Sequence, residues 1–354
     1  MINKTEQEIM ADWKNGSRIP VVSICCVTYN HEKYISETID GFLMQETDFA
    51  FEILIHDDCS EDNTQKIILN YVEKYPNIIR TVFQKENQYS KGIKRVSSFL
   101  FQIANGEYYA LCEGDDFWTD SRKLQIQLDA MKQYPNIGIS FHPAFEFYDD
   151  KGRGKILARH FHANKLVTTS KVILGGGIFC PTASLMFKKE ALSDLPEWFY
   201  KAPVGDYFMQ ILGSSHGGAL YIDRPMSIYR KGHSGSWTNS FFSDSQNFAE
   251  QYAAKNQTLK FELIETLKAM NAYYDYKYDD EIQQRISIAL ASLSLIYFKS
   301  GMFEKFKMAI EKSYKTYKKP LSLQHFLYLF KNHPYFLNLL YKYYVLIKKN
   351  RHQT

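Results

Sequence analysis

Apolar and polar positions follow two alternating rhythms over the first 146 residues of the chain. Short, nearly continuous apolar runs, such as Val21–Val27 and Phe51–His56, are typical of buried parallel strands. Between these runs, apolar residues recur every three or four positions, as in amphipathic helices. Strands are predicted at 21–27, 51–56, 80–83, 107–112 and 137–141, with helices at 34–43, 60–74 (capped by Ser60), 93–104 and 122–134. The alternation predicts an α/β fold with a doubly wound, mostly parallel sheet and flanking helices.

The pattern changes in the rest of the chain. Residues 145–245 are less regular, with a glycine run (Gly175–Gly177) that we interpret as a flexible loop, a strand-like run at 183–187 and a predicted helix at 207–212. Beyond about residue 245 the period is helical, and 282–299 with 303–317 form a predicted helical hairpin. We therefore predict an N-terminal extension at 1–19, an α/β domain at 20–245 and a helical, basic C-terminal region at 246–354.

Three of the predicted strands run directly into polar turns, at Thr28–Asn30, Asp57–Asp58 and Glu113–Asp116. Open α/β sheets bind ligands beyond the carboxyl ends of their strands, so these turns define a candidate site. Carboxylates beside a core are costly unless they are exposed, neutralised or bound to a cation. Hard divalent cations take oxygen ligands and share them with phosphates. The last turn therefore predicts a metal–diphosphate site, and a solvent-exposed acidic turn is the alternative.

Composition excludes several classes of protein. With 45% apolar and 16% aromatic residues among 354, the chain is expected to be globular rather than disordered. The five cysteines include no CxxC pair, so neither a disulfide framework nor a zinc site is predicted, and a reducing, cytoplasmic compartment is favoured. No apolar signal segment precedes residue 19 and no apolar run of membrane-spanning length occurs, so we expect neither a secretory signal nor a spanning helix.

Charge is distributed unevenly. From Gly301 onward the chain has eleven lysine or arginine residues against two glutamates, a net charge of +9, which leaves −5 for the remainder of a chain whose total is +4. Such a tail either keeps a helical domain soluble or contacts an anionic partner. The aromatic and leucine-rich segment 335–344, flanked by lysines, is compatible with contact at a membrane surface. We predict no nucleic-acid partner, because no recognised binding motif occurs.

Taken together, these motifs resemble those of the inverting family-two glycosyltransferases of GT-A fold, a Rossmann-like fold. The resemblance covers about residues 20–240. Cys59 stands where the family usually has a glycine, and Glu113 stands where it has the first aspartate of its metal-binding motif. The matching segments are 22–30, 56–64, Gly92, 104–108, 113–116, 205–206 and 229–233.

The resemblance implies a metal-dependent enzyme that moves a sugar from a nucleotide diphosphate donor, most simply a UDP-sugar, to a hydroxyl of a glycan or lipid-linked acceptor in polysaccharide biosynthesis. Asp58 is then expected to accept a hydrogen bond from the nucleobase. The implied donor-binding residues are Thr28, Tyr29, Asn30, Glu32, Asp57, Asp58 and Gly92. The implied ligands of Mn²⁺ or Mg²⁺ are Glu113, Asp115, Asp116 and His233.

The resemblance also implies that Asp206 is the catalytic base, a role compatible with capping the helix that follows it. Arg230 is a candidate phosphate or acceptor contact. Trp237 is a candidate for stacking on the acceptor sugar, with ordinary packing as its alternative. For His233, a structural or surface histidine is the alternative to a metal ligand.

Two other functions compete with this interpretation. A catalytically silent nucleotide-binding or scaffold protein of a polysaccharide assembly complex would share the fold, but the acids at 58, 115, 116 and 206 argue against it. A sugar nucleotidyltransferase needs a glycine-rich loop after its first strand, where this chain has Tyr29–Glu32.

The resemblance implies a cytoplasmic location, at the inner face of the cell membrane.

Overall fold

The computed structural model describes residues 4–93, 97–232, 249–317, 319 and 321–340. The chain divides into two compact units, Met1–Asn239 and Ser240–Thr354. The predicted boundary at residue 245 and the N-terminal extension at 1–19 stay predictions, because the described residues break off between 232 and 249 and begin at residue 4.

The first unit is a mixed α/β structure, as predicted. Its helices are α1 (Glu6–Ala11), α2 (Ile35–Leu43), α3 (Thr64–Lys74), α4 (Ser98–Ile103), α5 (Lys123–Lys132), α6 (Thr169–Gly175), α7 (Glu197–Lys201) and α8 (Asp206–Ser214). Its strands are β1 (Val22–Thr28), β2 (Phe51–Asp57), β3 (Ile79–Phe83), β4 (Tyr108–Glu113), β5 (Phe117–Trp118), β6 (Ile139–Phe141), β7 (Ala144–Tyr148), β8 (Gly152–Leu157), β9 (Lys165–Val167), β10 (Met186–Lys188), β11 (Ala219–Tyr221) and β12 (Ser227–Lys231).

The larger of two sheets has the strand order β3-β2-β1-β4-β10-β6-β11-β9, and the smaller has the order β5-β12-β7-β8. Strands β3, β2, β1 and β4 are parallel, whereas β10 runs antiparallel to its neighbours β4 and β6. The apolar runs correspond to the central strands, and every residue of β2 is buried. Helix α2 covers the sheet with Ile35, Ile39, Phe42 and Leu43, the spacing that predicted it.

Two local predictions are wrong. Ser60 does not cap α3, which begins at Thr64 after the cap residue Asn63, because the Ser60 hydroxyl donates to Asp57 instead. The run at 183–187 is not one strand. A 3₁₀ turn occupies Thr182–Ser184 and the strand begins at Met186, where it pairs with Ala110 and Ser140.

The C-terminal unit is helical, as predicted. It contains α9 (Ala249–Tyr273), α10 (Asp279–Lys299), α11 (Phe303–Thr316) and α12 (Ser322–Leu329). Helices α10 and α11 form the predicted hairpin, and their turn contains Gly301 at φ +73°. The core of the C-terminal unit includes Leu293, Phe306 and Ile310. Among the helices that the structure describes, none has the length and apolar character needed to cross a bilayer.

A charged side chain lies inside the first unit. Lys123 is fully buried, its Nζ donates to Gln127 Oε1 at 2.6 Å, and it lies 4.0 Å from the centre of the Trp118 ring. Burial lowers the pKa of Lys123 to about 7. The folded protein therefore releases this proton at a lower pH than the unfolded chain, whose lysines titrate at about 10.4.

The buried lysine predicts a pH-dependent stability. Between about pH 7 and pH 10 the unfolded chain binds the Lys123 proton and the folded protein does not, so the free energy of unfolding rises with pH, by at most about 1.4 kcal/mol per pH unit. We expect Lys123→Met to remove this rise, as measured by urea denaturation across the range. Identical pH profiles for variant and wild type would contradict the assignment.

Candidate active site

The carboxyl ends of three parallel strands meet at one edge of the large sheet. In the observed register Thr28 of β1 lies opposite Asp57 of β2, and Val27 lies opposite Glu113 of β4. The three polar turns predicted from the sequence therefore share this edge. Asp206, at the start of α8, is near enough for its charge to act on Glu113, so a fourth segment joins them.

The turn Glu113–Asp116 is packed tightly against β1. Gly114 N–H donates to the Val27 carbonyl at 2.9 Å. A Cβ at Gly114 would lie 2.6 Å from Thr28 Oγ1, so only glycine fits there. On the other side, the Thr38 hydroxyl of α2 lies 3.0 Å from the Gly114 carbonyl and 2.7 Å from the Asp116 carbonyl. The backbone of the acidic turn is thus held on one side by β1 and on the other by the Thr38 hydroxyl.

Arg230 of β12 also holds this turn from inside the domain. Its N–H donates to Asp116 Oδ1 and its Nε to the Asp115 carbonyl, both at 2.9 Å. Its two terminal nitrogens donate to Asp149 at 2.8 Å and to Glu37 at 2.6 Å. The sequence predicts a phosphate or acceptor contact for Arg230, but the structure buries this guanidinium among protein acceptors, an arrangement that favours a positioning role.

The acids of the turn repel one another. Reduced solvation, together with the charges of Asp115 and Asp206, raises the pKa of Glu113. Burial, together with Asp115 and Glu113, raises the pKa of Asp116 well above its usual value. Several like charges held in one crevice form an arrangement that a cation would stabilise.

The donor set suits a hard cation completed by phosphates. Among the described residues, no three His, Cys, Asp or Glu side chains converge into a complete cation site. Mg²⁺ commonly takes one or two protein carboxylates and fills its other positions with phosphate oxygens and water. Glu113 and Asp115 fit such a site. Asp116 is 1% exposed, and its Oδ1 accepts from the Arg230 N–H, whereas its Oδ2 is buried without a hydrogen-bond partner among the described residues. The Oδ2 atom therefore fits the predicted role as a ligand without a change of partner.

Asp58 organises the other end of the crevice. Its N–H donates to the Thr28 carbonyl at 3.0 Å, and its carboxylate accepts from the N–H groups of Gln88 at 2.8 Å and Tyr89 at 3.0 Å. These bonds attach the loop after β3 to the end of β1. The rings of Tyr29 and Tyr89, which are 40% and 45% exposed, therefore belong to segments on either side of Asp58.

The other predicted donor residues make contacts within the loops. Asp57 accepts from the N–H and the hydroxyl of Ser60 and from Gln65. Asn30 and Glu32 tie the loop after β1 to residues 60–63 of the loop after β2. Gly92 lies at φ +89° in the loop that Asp58 holds. Cys59 lies at φ +66°, a left-handed conformation that explains why glycine is common at this position in the family it resembles.

Asp206 approaches the acidic turn from the far side of the site. It is the first residue of α8 rather than its cap, which is Gly205, so the predicted capping role is wrong. A Cβ at Gly177 would lie 3.8 Å from Asp206 Oδ2. The glycine run therefore borders this carboxylate: Gly175 ends α6, and Gly177 begins a 3₁₀ turn rather than a flexible loop.

Two predicted site residues, His233 and Trp237, lie outside the described part of the chain, and their roles stay predictions. The structure adds two residues that the sequence did not single out. His31 lies with its Nε2 3.9 Å from Asp115 Oδ2, and Tyr89 is bonded to Asp58. His31 directly follows Asn30, and this position is the only sequence feature that could have indicated a role for it in the site. Tyr89 carries none, because its contact depends on how the loop after β3 folds back.

The chain is similar in sequence to known proteins. Residues 23–195 match the domain described as glycosyl transferase family 2. An uncharacterized protein of Mycobacterium tuberculosis, Rv1520, is 30% identical over 230 residues, which are 65% of this chain and 64% of that protein. The chain thus spans less than two thirds of this relative. The Escherichia coli enzyme UDP-Glc:alpha-D-GlcNAc-diphosphoundecaprenol beta-1,3-glucosyltransferase WfgD is 30% identical over 165 residues, 47% of this chain and 60% of that enzyme.

Solved structures share the fold. Staphylococcus aureus TarS 1–349 in complex with UDP-GlcNAc has a TM-score of 0.53 at 18% identity, over 84% of this chain and 89% of that one. The mannosyltransferase PcManGT from Pyrobaculum calidifontis, in complex with GDP-Man and Mn²⁺, has a TM-score of 0.51 at 18% identity, over 87% and 78%. The fold is thus that of GT-A enzymes. Residues 23–195 match the family-two glycosyltransferase domain, so the family is assigned to this segment of the chain.

The tight turn predicts that Gly114→Ala destabilises the domain. The added methyl group meets Thr28 at less than contact distance, so we expect a loss of about 1–3 kcal/mol in the free energy of unfolding. Gly177→Ala is the matched control, because its nearest neighbours lie at ordinary contact distance, 3.7 Å and beyond, and we expect a change within about 0.5 kcal/mol. Urea denaturation measures both, and equal losses would contradict the packing described.

Proposed function

We propose that this chain is a metal-dependent, inverting glycosyltransferase that moves a sugar from a nucleotide diphosphate donor to an acceptor hydroxyl. The observation that carries the proposal is the proximity of acids from two distant segments, Glu113 at the end of β4 with Asp115 after it, and Asp206 at the start of α8. Glu113 and Asp115 suit the binding of a cation together with the donor's diphosphate. Asp206 suits the role of a proton acceptor. Both groups lie at the strand edge where α/β folds bind ligands.

The proposed chemistry is a single displacement. Asp206 takes the proton of the acceptor hydroxyl while that oxygen forms a bond to the anomeric carbon. The bond between that carbon and the diphosphate oxygen breaks on the opposite face, and its electron pair leaves with the nucleotide diphosphate. Attack opposite the leaving group inverts the anomeric centre without a covalent enzyme intermediate. Glu113 and Asp115 would hold Mn²⁺ or Mg²⁺, which when bound compensates charge on the diphosphate.

We propose UDP as the donor's nucleotide. Asp58 keeps lone pairs beyond the two that accept backbone N–H groups, and a carboxylate suits the imide N–H of uracil. Tyr29 and Tyr89, which are 40% and 45% exposed, belong to the two segments that are hydrogen-bonded to Asp58 and offer aromatic rings to a base. A thermal-shift screen of UDP, GDP, CDP and dTDP with Mn²⁺ tests this choice, because a bound nucleotide stabilises the fold. The largest shift with UDP is expected, and a larger shift with another nucleotide would contradict it.

We propose a glycan or lipid-linked acceptor in polysaccharide assembly, reached at the cytoplasmic face of the membrane through the basic C-terminal unit. The name of WfgD, an enzyme acting on a diphosphoundecaprenol-linked sugar, supports a lipid-linked acceptor. A putative teichuronic acid biosynthesis glycosyltransferase of Bacillus subtilis, TuaG, is 34% identical over 124 residues, 35% of this chain and 45% of that protein, and supports the polysaccharide setting.

The proposal predicts that Asp206→Asn abolishes proton transfer while leaving donor binding intact. We expect transfer to fall by about 10²–10⁴-fold, with the UDP thermal shift unchanged. Asp194→Asn, an exposed acid near the end of the matched domain, is the control and keeps full activity.

EDTA should stop UDP release and added Mn²⁺ should restore it. UDP binding without any metal-dependent turnover would favour the catalytically silent alternative.

A further inference from the structure

One face of helix α12 exposes an apolar surface. Leu321, Leu323, Phe326 and Leu329 are 48%, 55%, 37% and 58% exposed. The last three recur every third position, so they share a broad side of the helix. Leu321 directly precedes the helix as its N-cap. We call Leu321 and these three helix residues the α12 face.

The α12 face is distinct from the side of the helix that packs in the core. That other side already anchors α12 in the C-terminal unit. Leu327 is 4% exposed within the core of the C-terminal unit. Gln324 is 3% exposed, and its side-chain amide donates to the hydroxyls of Ser287 at 2.8 Å and Ser313 at 3.0 Å. The helix therefore buries one side and leaves a second apolar side in solvent.

The apolar surface continues into the segment that follows. Ring contacts run from Phe326 to Phe330 at 4.9 Å and from Phe330 to Phe336 at 5.2 Å. Residues 334–340 are helical, with Tyr335 and Leu339 83% and 67% exposed. Apolar patches of this extent on a soluble domain commonly mark an interaction site.

Charge selects the kind of partner. The surface belongs to a segment, residues 301–354, with a net charge of +9, and Lys312, Lys315 and Lys319 are exposed. A second copy of this chain would bring two such segments together, and like charges oppose that contact. An exposed apolar surface within a lysine-rich segment is the combination that binds at the interface of anionic lipid.

We propose that the α12 face docks on an anionic lipid bilayer, with its leucines and phenylalanine among the headgroups and the lysines above them. The inference rests on the proposed function in one respect, since a lipid-linked acceptor gives such docking its purpose. Docking would hold the enzyme at the surface that carries its acceptor.

Sedimentation with vesicles tests the proposal on the full chain. Wild type should bind vesicles of phosphatidylcholine with phosphatidylglycerol, bind phosphatidylcholine alone far less, and lose binding as salt rises. The double variant Leu323→Gln/Leu329→Gln should bind at least about tenfold less, with unchanged circular dichroism. Leu69→Gln, an equally exposed leucine of α3 at 47%, is the control and should bind as wild type.

Three outcomes would overturn the proposal. They are absence of wild-type binding to anionic vesicles, equal binding by the double variant, and a wild-type dimer that the double variant disrupts without any vesicle binding. The last would assign the face to a second copy. Vesicle binding needs no turnover, so Asp206→Asn should bind vesicles like wild type, and failure of the catalytic proposal remains distinguishable from failure of this one.

Discussion

The site depends on a constraint at one turn, where carboxylates are held together and cannot move apart. Gly114 lies against Thr28 with no space for a Cβ, and Thr38 and Arg230 bind the turn from the other sides. Reduced solvation, and then repulsion from Asp115 and Asp206, raise the pKa of Glu113, and the tight packing of the turn keeps these acids close together. In the proposed enzyme, acids held in place in this way would receive a cation without rearrangement of the turn, and such preorganisation is the usual source of electrostatic catalysis.

The same hydrogen bonds that fix the turn connect it to its surroundings. Arg230 joins the small sheet to α2 through Glu37, so the acidic turn is clamped between β12 and a helix that packs on the large sheet. Asp58 has a similar role at the ends of β1 and β2, where it attaches the loop after β3 to β1. The sequence alone predicts ligand contacts for Arg230 and Asp58. In the structure, both residues also form hydrogen bonds that hold the loops of the site in place.

The sequence predicts those features that depend on local pattern. Apolar runs predict β1, β2 and β4 because parallel strands are buried on both faces. The acids that follow these strands are predicted to form a site because open α/β sheets bind ligands beyond the carboxyl ends of their strands. Contacts between distant residues leave no such pattern. The partners of Arg230 at Glu37 and Asp149 are 193 and 81 positions away. The bond from Tyr89 to Asp58 depends on a loop fold, and the exposed face of α12 depends on which side of that helix is buried. These features required the structure.

The central claim is that Glu113 and Asp115 bind a cation that also binds the donor's diphosphate. A crystal grown with Mn²⁺ and UDP, measured at the manganese absorption edge, tests it directly. We expect an anomalous peak bonded to the Glu113 or Asp115 carboxylate and to phosphate oxygens of UDP. A crevice that contains UDP without manganese, or manganese bound only elsewhere, would contradict the account.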